Sequence, residues 1–511
     1  MELEKTKNTV NGFVSGVIGQ VVNTLLPFIL RTVMIYTMGI EFAGVNSLFN
    51  SILNVLSLAD LGFGSAVIYS MYIPIKENDN DQLCKLLGYY RTLYFYVGGI
   101  IFCAGLFVVP FLKLIVTSEI PGNMNIYILY FCFLGNTTIS YLFGGYRSSV
   151  LFAYQRRDIY TYVTTAVTII GYAAQIIVLL VFKEYYLYLA IMIAINLATA
   201  LSTAYTAKRM FPDIVPQPGL DKEGKRSIFA KVADLLYQRI GSTFSTSLDS
   251  IVISSFLGLT EVAIYGNYFY VFNAASSFMN SFFSSLTAGI GNKILTSDDE
   301  ENMKVYKHLS TISNILVTFC CSCLLALYQP FVNWWTGPEF MYPITIVILF
   351  AVYFFIYGSR RIVMTYKDAL GMWHRDRWKS IVGAGFNLIV NIMLVRMIGV
   401  SGVIISTILS YLLVEMPWET HVLYTEYFKR SELEFYRSLL KSFLITVIVC
   451  GIAYYSVNLI HIENNSIQLL ISALVCIVVT MLSITLIYHR NESFQFAMER
   501  FRDILAKKRE A

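Results

Sequence analysis

Hydrophobic and polar residues follow one another along this chain in long blocks. Apolar runs of about 20 residues recur, separated by short polar segments, and no stretch alternates apolar and polar residues as a barrel strand does. A run of that length crosses the hydrocarbon core of a membrane as a helix. The pattern therefore predicts an all-α integral membrane protein with about fourteen transmembrane helices. The predicted spans lie near residues 12–38, 43–72, 90–113, 125–146, 159–182, 186–207, 232–257, 263–290, 308–330, 342–359, 379–398, 401–423, 439–460 and 466–488.

The first two spans carry polar residues at steps of three or four. Such steps place side chains on one face of a helix. Polar groups that face lipid are costly, so a polar face turns towards protein or a water-filled cavity. We therefore expect these two helices to line a cavity. The polar positions are Gly16, Gln20, Asn23, Pro27 and Arg31 in the first span, and Asn46, Asn50, Asn54, Ser57, Asp60 and Gly64 in the second.

A similar arrangement recurs in the second half of the chain. The turn from Gly39 to Gly44 after span one has a counterpart from Gly258 to Gly266 after span seven, and a polar-striped span follows each turn. Two copies with an even number of spans indicate a parallel repeat about an axis along the membrane normal. The polar positions of the second copy are Asp234, Gln238, Ser242, Ser245 and Asp249 in span seven, with Arg239 beside them, and Tyr270, Asn273, Ser277, Ser281 and Ser284 in span eight.

The repeat predicts two six-helix lobes followed by two extra helices. The N-lobe would cover residues 1–220 and spans 1–6, and the C-lobe residues 221–430 and spans 7–12. Residues 431–511 would hold spans 13–14 and a cytoplasmic amphipathic tail.

Composition and charge agree with a membrane protein. The 511 residues are 56% hydrophobic and 14% charged, with mean hydropathy +0.60, whereas soluble domains carry roughly 25% charged residues. With the N-terminus in the cytoplasm, most Lys and Arg fall in inner loops, including the clusters at 208–231 and 360–379. The positive-inside rule then places both termini in the cytoplasm. The net charge of +5 is explained by these loops, and nucleic acid is not an expected partner.

The sequence contains no pattern typical of an enzyme. It has no GxxxxGK[ST] loop for ATP, no HExxH and no GxSxG motif, and its five histidines lack metal-ligand spacing. Its eight cysteines are scattered, mostly within spans. We therefore expect no catalytic residues, no metal site and no cofactor, apart from a possible coupling ion, Na⁺ or H⁺.

Charged residues within the spans are the strongest candidates for a binding site. A charge at the bilayer centre costs about 2.5–3.5 kcal/mol on insertion scales. We expect Arg31, Asp60, Arg239 and Asp249 to face a substrate cavity, since arginine suits a diphosphate. The alternative is that the arginines pair internally with Asp60, Asp234 and Asp249. The uncharged cavity candidates are Asn46, Asn50, Asn54, Gln20 and Asn273, and Pro27 is a candidate hinge because proline kinks a helix.

The chain resembles the Wzx-type polysaccharide flippases of the multidrug/oligosaccharidyl-lipid/polysaccharide (MOP) exporter superfamily. The resemblance rests on Arg31 with the Met38–Gly44 turn, the run from Leu56 to Gly64, the run from Asp249 to Gly258, and Tyr265-Gly266. It implies alternating access without ATP and a substrate of undecaprenyl-diphosphate-linked oligosaccharide for capsule, exopolysaccharide or O-antigen assembly. It also implies the bacterial cytoplasmic membrane, contact with membrane lipids, and a polysaccharide polymerase and other assembly proteins as partners.

Three alternatives stay open. A cation-coupled multidrug exporter of the same superfamily usually stops at twelve spans and favours an acidic, aromatic cavity. A membrane polysaccharide polymerase or ligase needs a sizeable outer loop with catalytic residues, and all predicted outer loops here are short. A passive scaffold leaves the polar stripes unexplained.

Overall fold

The computed structural model of this protein describes nearly the whole chain. Its backbone is described at residues 5–60, 63–296, 298–372, 374–496 and 498–499. Within these ranges the side chains are described except at residues 5–18, 59–60, 123, 227, 230–231, 233–242, 244–246, 285, 288–289, 292 and 295–296.

Helices account for the regular structure, and no β-strand occurs among the described residues. Short 3₁₀ and π segments join some of them. The helices are α1 (Lys5–Met38), α2 (Ile40–Leu56), α3 (Phe63–Glu77), α4 (Asn80–Val108), α5 (Leu112–Ile115), α6 (Ile126–Leu142), α7 (Ser148–Ala153), α8 (Arg157–Ile177), α9 (Tyr185–Met210), α10 (Lys222–Leu257), α11 (Leu259–Thr296), α12 (Asp299–Trp335), α13 (Ile344–Ala369), α14 (Lys379–Ile398), α15 (Val400–Ser410), α16 (Met416–Thr420), α17 (Leu433–Asn458) and α18 (Asn465–Tyr488).

A helix lies at each of the fourteen predicted spans, so the all-α fold is confirmed. Over the described residues, ten helices are long and apolar enough to cross a membrane, or eleven if the bent pair α6 and α7 forms one span. The polar-striped helices α2, α10 and α11 are not among the ten. The count of fourteen and the cytoplasmic location of both termini stay predictions.

Contacts between residues divide the chain into two compact units, Met1–Ala263 and Ile264–Ala511. In the first unit, α1 packs on α8, and α10 packs on α2 and α3. The lobe boundary predicted at residues 220/221 concerns the internal sequence repeat, and it stays a prediction. The segment that joins α9 to α10 is packed down, because the Gln217 amide donates to the Cys84 carbonyl on α4 at 3.0 Å.

In the second unit, α12 packs against α13, α17 and α18, and α14 packs against α15. A π segment at Tyr411–Glu415 joins α15 to α16, and another at His421–Tyr427 follows α16. After α18, Phe494 packs against a buried cluster that includes Val449 and Ile484. Phe496 stacks on the His308 ring at 5.1 Å, and the predicted amphipathic tail from residue 500 onward lies outside the described residues.

The outward surfaces of α17 and α18 are apolar. Their exposed large side chains are, in α17, Leu433, Leu440, Leu444, Val447, Ile448, Ile452 and Tyr455, and, in α18, Ile467, Leu470, Ile471, Leu474, Ile477, Val478, Met481, Leu482, Leu486 and Ile487. A surface of this kind and length is stable only against lipid. The chain is therefore a multi-pass membrane protein.

Candidate functional site

The exposed positions of α2 differ in kind from those of α17 and α18. Asn50 and Asn54 are the exposed residues of this helix, and every other position in Ile40–Leu56 is buried or half-buried. A helix that faces lipid exposes Leu, Ile or Val, because an amide in hydrocarbon has no hydrogen-bond partner. The exposed edge of α2 is therefore suited to water or to a polar ligand.

The polar stripe of α11 is also exposed. Asn273, Ser277, Ser281 and Ser284 all reach the surface of the second unit, with Phe278 beside them. The Ser281 hydroxyl donates to the Ser277 carbonyl at 2.9 Å, and the Ser284 hydroxyl donates to the Ser281 carbonyl at 2.9 Å. Each hydroxyl oxygen can still accept a hydrogen bond from a ligand. The assignment of this stripe to a substrate cavity stays a prediction.

Helix α1 has two exposed faces. Gln20 is exposed on the polar face and donates to the Thr24 hydroxyl at 3.4 Å, whereas Leu25 and Ile29 form part of an exposed apolar face. Pro27 lies inside the helix, which is assigned continuously from Lys5 to Met38. Its role as a hinge stays a prediction.

Arg31 has partners that its position in the sequence did not indicate. Its Nη1 donates to the Ser47 hydroxyl at 3.1 Å, and its Nη2 donates to the main-chain carbonyl of Ala263 at 3.1 Å. Asn46 likewise donates to the Tyr188 hydroxyl at 3.2 Å. Both side chains therefore hold elements of the first unit together. Their assignment to substrate binding stays a prediction.

The corner between α10 and α11, which belongs to the first unit, makes several further contacts within that unit. The Leu259 amide donates to the Ser118 hydroxyl at 3.1 Å, and the Thr117 hydroxyl donates to the Ser254 carbonyl at 3.1 Å. The backbone of Gly44 on α2 approaches Leu259 so closely that a Cβ on Gly44 would lie 2.2 Å from the Leu259 carbonyl oxygen. The two glycine-containing turns that resemble each other in sequence therefore pack against one another.

Of the remaining charged residues predicted for the site, Asp249 is the one whose side chain is described. Asp249 is buried on α10, with 2% of its surface exposed. The side chains of Asp60, Asp234 and Arg239 lie outside the described residues. The expected meeting of Arg31, Asp60, Arg239 and Asp249 therefore stays a prediction.

A buried ion-pair network in the second unit was missed by the sequence reasoning. Arg360 on α13 donates to Glu419 at 2.8 and 3.0 Å and to Glu415 at 2.5 Å. Its guanidinium also lies 4.1 Å from the centre of the Tyr411 ring. Arg360 is 4% exposed and Glu419 is 0% exposed, so these charges are compensated by one another and not by water.

The network continues to the start of α14. The Lys379 ammonium contacts Glu419 at 2.7 Å and Asp376 at 2.6 Å, and Asp376 also pairs with Lys367. Three cations and three carboxylates are thus balanced. The positive-inside rule placed the basic members in a cytoplasmic segment at 360–379. Residue spacing gave no signal that they pair with Glu415 and Glu419, which lie about 40–60 residues further along the chain.

The fold has known relatives among solved membrane transporters. The inward-facing conformation of a multidrug resistance MATE family transporter of the MOP superfamily gives a TM-score of 0.62 at 11% identity, over 84% of this chain and 98% of that chain. The lipid II flippase MurJ, in an inward closed conformation, gives 0.63 at 12% identity, over 95% and 99%. A mutant of the Vibrio cholerae MATE transporter VcmN gives 0.54 at 12% identity, over 83% and 100%.

These likenesses define the class of fold. At such low identity they concern the fold alone: this chain has the fold of MOP-superfamily transporters. No protein-family model matches the sequence, and no curated protein sequence matches it either.

Proposed function

We propose that this protein is a flippase that moves a polyprenyl-diphosphate-linked oligosaccharide from the inner to the outer leaflet of a bacterial cytoplasmic membrane, for capsule, exopolysaccharide or O-antigen assembly. The exposed edge of α2, which consists of Asn50 and Asn54, is the observation that carries the proposal. Amide and hydroxyl groups on a membrane helix suit a ligand rich in hydroxyl groups, and sugar is such a ligand.

The extent of the structural likeness favours a flippase over a multidrug exporter. The MurJ match covers 95% of this chain, whereas the MATE match covers 84%. The share of the chain without a counterpart in the MATE transporter is about as large as residues 431–511, which hold α17 and α18. A multidrug exporter of the same fold is the competing candidate.

The energy source is part of the proposal. A diphosphate diester carries about two negative charges, and an inside-negative potential favours outward movement of an anion by up to about 2.3 kcal/mol per charge per 100 mV. We infer that transport uses this potential or a coupled ion, Na⁺ or H⁺, and no ATP. A polysaccharide polymerase and other assembly proteins would act on the delivered substrate.

Reconstitution tests the proposal. Proteoliposomes would carry a fluorescent polyprenyl-diphosphate oligosaccharide, and a membrane-impermeant quencher would report its arrival in the other leaflet. We expect transport that accelerates when a potential or an ion gradient is imposed. Efflux of a cationic dye in place of glycolipid movement would favour the multidrug exporter, and transport indifferent to both potential and ion gradients would refute the proposed energy source.

A pair of variants links the transport to the polar edge. The double variant Asn50→Leu, Asn54→Leu makes this edge of α2 resemble a lipid-facing surface, so we expect the transport rate to fall at least tenfold. A tenfold fall corresponds to a loss of about 1.4 kcal/mol in the free energy of substrate binding. Asn458→Leu changes an exposed asparagine at the end of α17 and should leave transport unchanged. Equal activity of both variants would separate the α2 edge from the substrate path.

A further inference from the structure

Arg361 stands apart from the other basic residues of α13. It is half-buried, and its Nε is shielded from solvent without a hydrogen-bond acceptor. Among the described residues, no side chain forms a hydrogen bond or an ion pair with its guanidinium. A shielded donor without an acceptor is unfavourable, so no protein contact among the described residues accounts for this guanidinium.

The nearby carboxylates are already engaged. Glu419 forms ion pairs with Arg360 and Lys379, and Glu415 forms one with Arg360. Asp376 forms ion pairs with Lys367 and Lys379. Asp368 lies seven residues further along α13, about 10 Å away along the helix axis, and has interactions of its own. Arg361 is therefore a cation that the ion-pair network leaves over.

The register of α13 against α11 places Arg361 level with the exposed stripe of α11. Tyr357, one helical turn earlier on the same face of α13, donates its hydroxyl to Asn280 on α11 at 3.1 Å. Towards the start of both helices, the Tyr268 and Phe350 rings stack at 5.8 Å, so α11 and α13 run in the same direction. One turn beyond the Tyr357–Asn280 bond, Arg361 is level with Ser284.

We propose that Arg361 is an anion-binding residue of the second unit and that it binds the diphosphate of the transported lipid. The planar guanidinium can donate two parallel hydrogen bonds to phosphate oxygens, which a lysine ammonium cannot do. Ser281 and Ser284 are exposed on α11, at the level that the helix register gives Arg361, and their hydroxyl groups suit the sugar next to the diphosphate. That the anion is a lipid diphosphate rests on the function proposed above. That Arg361 binds an anion does not rest on it.

Binding measurements on the purified full-length protein test this assignment. Three probes are compared: a short-chain polyprenyl-diphosphate disaccharide, the same disaccharide on an uncharged alkyl chain, and inorganic pyrophosphate. We expect Arg361→Gln to weaken binding of both diphosphates by about tenfold or more and to leave the uncharged glycolipid unaffected. Arg361→Lys should restore only part of the loss. Arg375→Gln removes an exposed arginine that is paired with Glu426 at 2.7 Å and serves as the matched control.

Stability gives a second readout that separates ligand binding from a structural role. Because the guanidinium has no hydrogen-bond or ion-pair partner among the described residues, Arg361→Gln should keep or raise the thermal midpoint of the unliganded protein. Diphosphate should raise the midpoint of the wild type more than that of the variant. Unchanged diphosphate affinity, equal losses for charged and uncharged probes, or a destabilised variant would each overturn the assignment. If the wild type binds pyrophosphate through Arg361 but neither glycolipid, the anion site stands and the flippase proposal fails.

Discussion

Replacement of Gly44 by alanine tests the contact between the α1–α2 and α10–α11 turns. The added Cβ would lie 2.2 Å from the Leu259 carbonyl oxygen and 3.0 Å from the Leu259 carbonyl carbon. Both atoms belong to the main chain, so a change of side-chain rotamer cannot relieve the clash. Carbon and carbonyl oxygen ordinarily stay about 3.3 Å or more apart, so α2 and the α10–α11 corner must separate by about 1 Å.

The cost of that separation can be estimated from the contacts it disturbs. Overpacking costs about 1–3 kcal/mol. A shift of this size also stretches the bonds from Arg31 to Ala263 and from Leu259 to Ser118, both now 3.1 Å long, and each such bond contributes about 0.5–1.5 kcal/mol. Alanine returns about 1 kcal/mol of helix propensity. We expect a net loss of about 3 kcal/mol in the free energy of unfolding.

Unfolding in mixed detergent and SDS, followed by intrinsic fluorescence, would measure the loss. Gly99→Ala is the matched control, because Gly99 is also a helical glycine and no atom lies within 4 Å of its added Cβ. Its free energy of unfolding should stay level or rise. Equal stability of the Gly44 and Gly99 variants would show that α2 and the α10–α11 corner are not in contact in the folded protein, and the account of both turns would be wrong.

Two further predictions concern the polar surface and the ion-pair network. In proteoliposomes, Asn54→Cys should react with a charged, water-soluble maleimide, and Leu474→Cys on α18 should not. A thiol in hydrocarbon stays protonated and out of reach of the reagent. Labelling of both variants to the same extent would contradict the distinction between the two surfaces. Glu419→Gln should destabilise the protein by about 3–5 kcal/mol because it leaves buried cations uncompensated. Glu426 pairs with an exposed arginine, so Glu426→Gln should cost at most about 1 kcal/mol. SDS unfolding curves that coincide for the two variants would refute the role of the network.

Long apolar runs were sufficient to locate the helices, but the irregularities within them depend on local detail. The span predicted at 43–72 is divided by a 3₁₀ segment at Ser57–Asp60, after which α3 begins at Phe63. In the span predicted at 401–423, the π segment at Tyr411–Glu415 lies just before Pro417. Proline lacks an amide hydrogen and clashes with the carbonyl four residues earlier, so a wider turn is expected there. Mean hydropathy contains no information of this kind.

The candidate site was predictable in part. Spacing of three and four residues identified the polar positions of α2 and α11. The exposed residues of α2 are Asn50 and Asn54, whereas α11 exposes Phe278 beside its polar stripe. Spacing could not identify contacts across the chain, such as those from Arg31 to Ser47 and Ala263. Those contacts depend on which helices pack together, and a single sequence does not encode that in any local pattern.

Arg31, Arg360 and Arg361 show why a charge within a membrane helix does not by itself identify a binding site. Arg360 is held by two buried carboxylates, and Arg31 donates to a hydroxyl and a main-chain carbonyl. Arg361 adjoins Arg360 in sequence but lies about 100° away around the helix, and no described group forms a hydrogen bond or an ion pair with its guanidinium. Removal of the first two should therefore lower stability, whereas removal of the third should lower affinity for an anion. This contrast, and not the presence of arginine, distinguishes a structural charge from a charge available to a ligand.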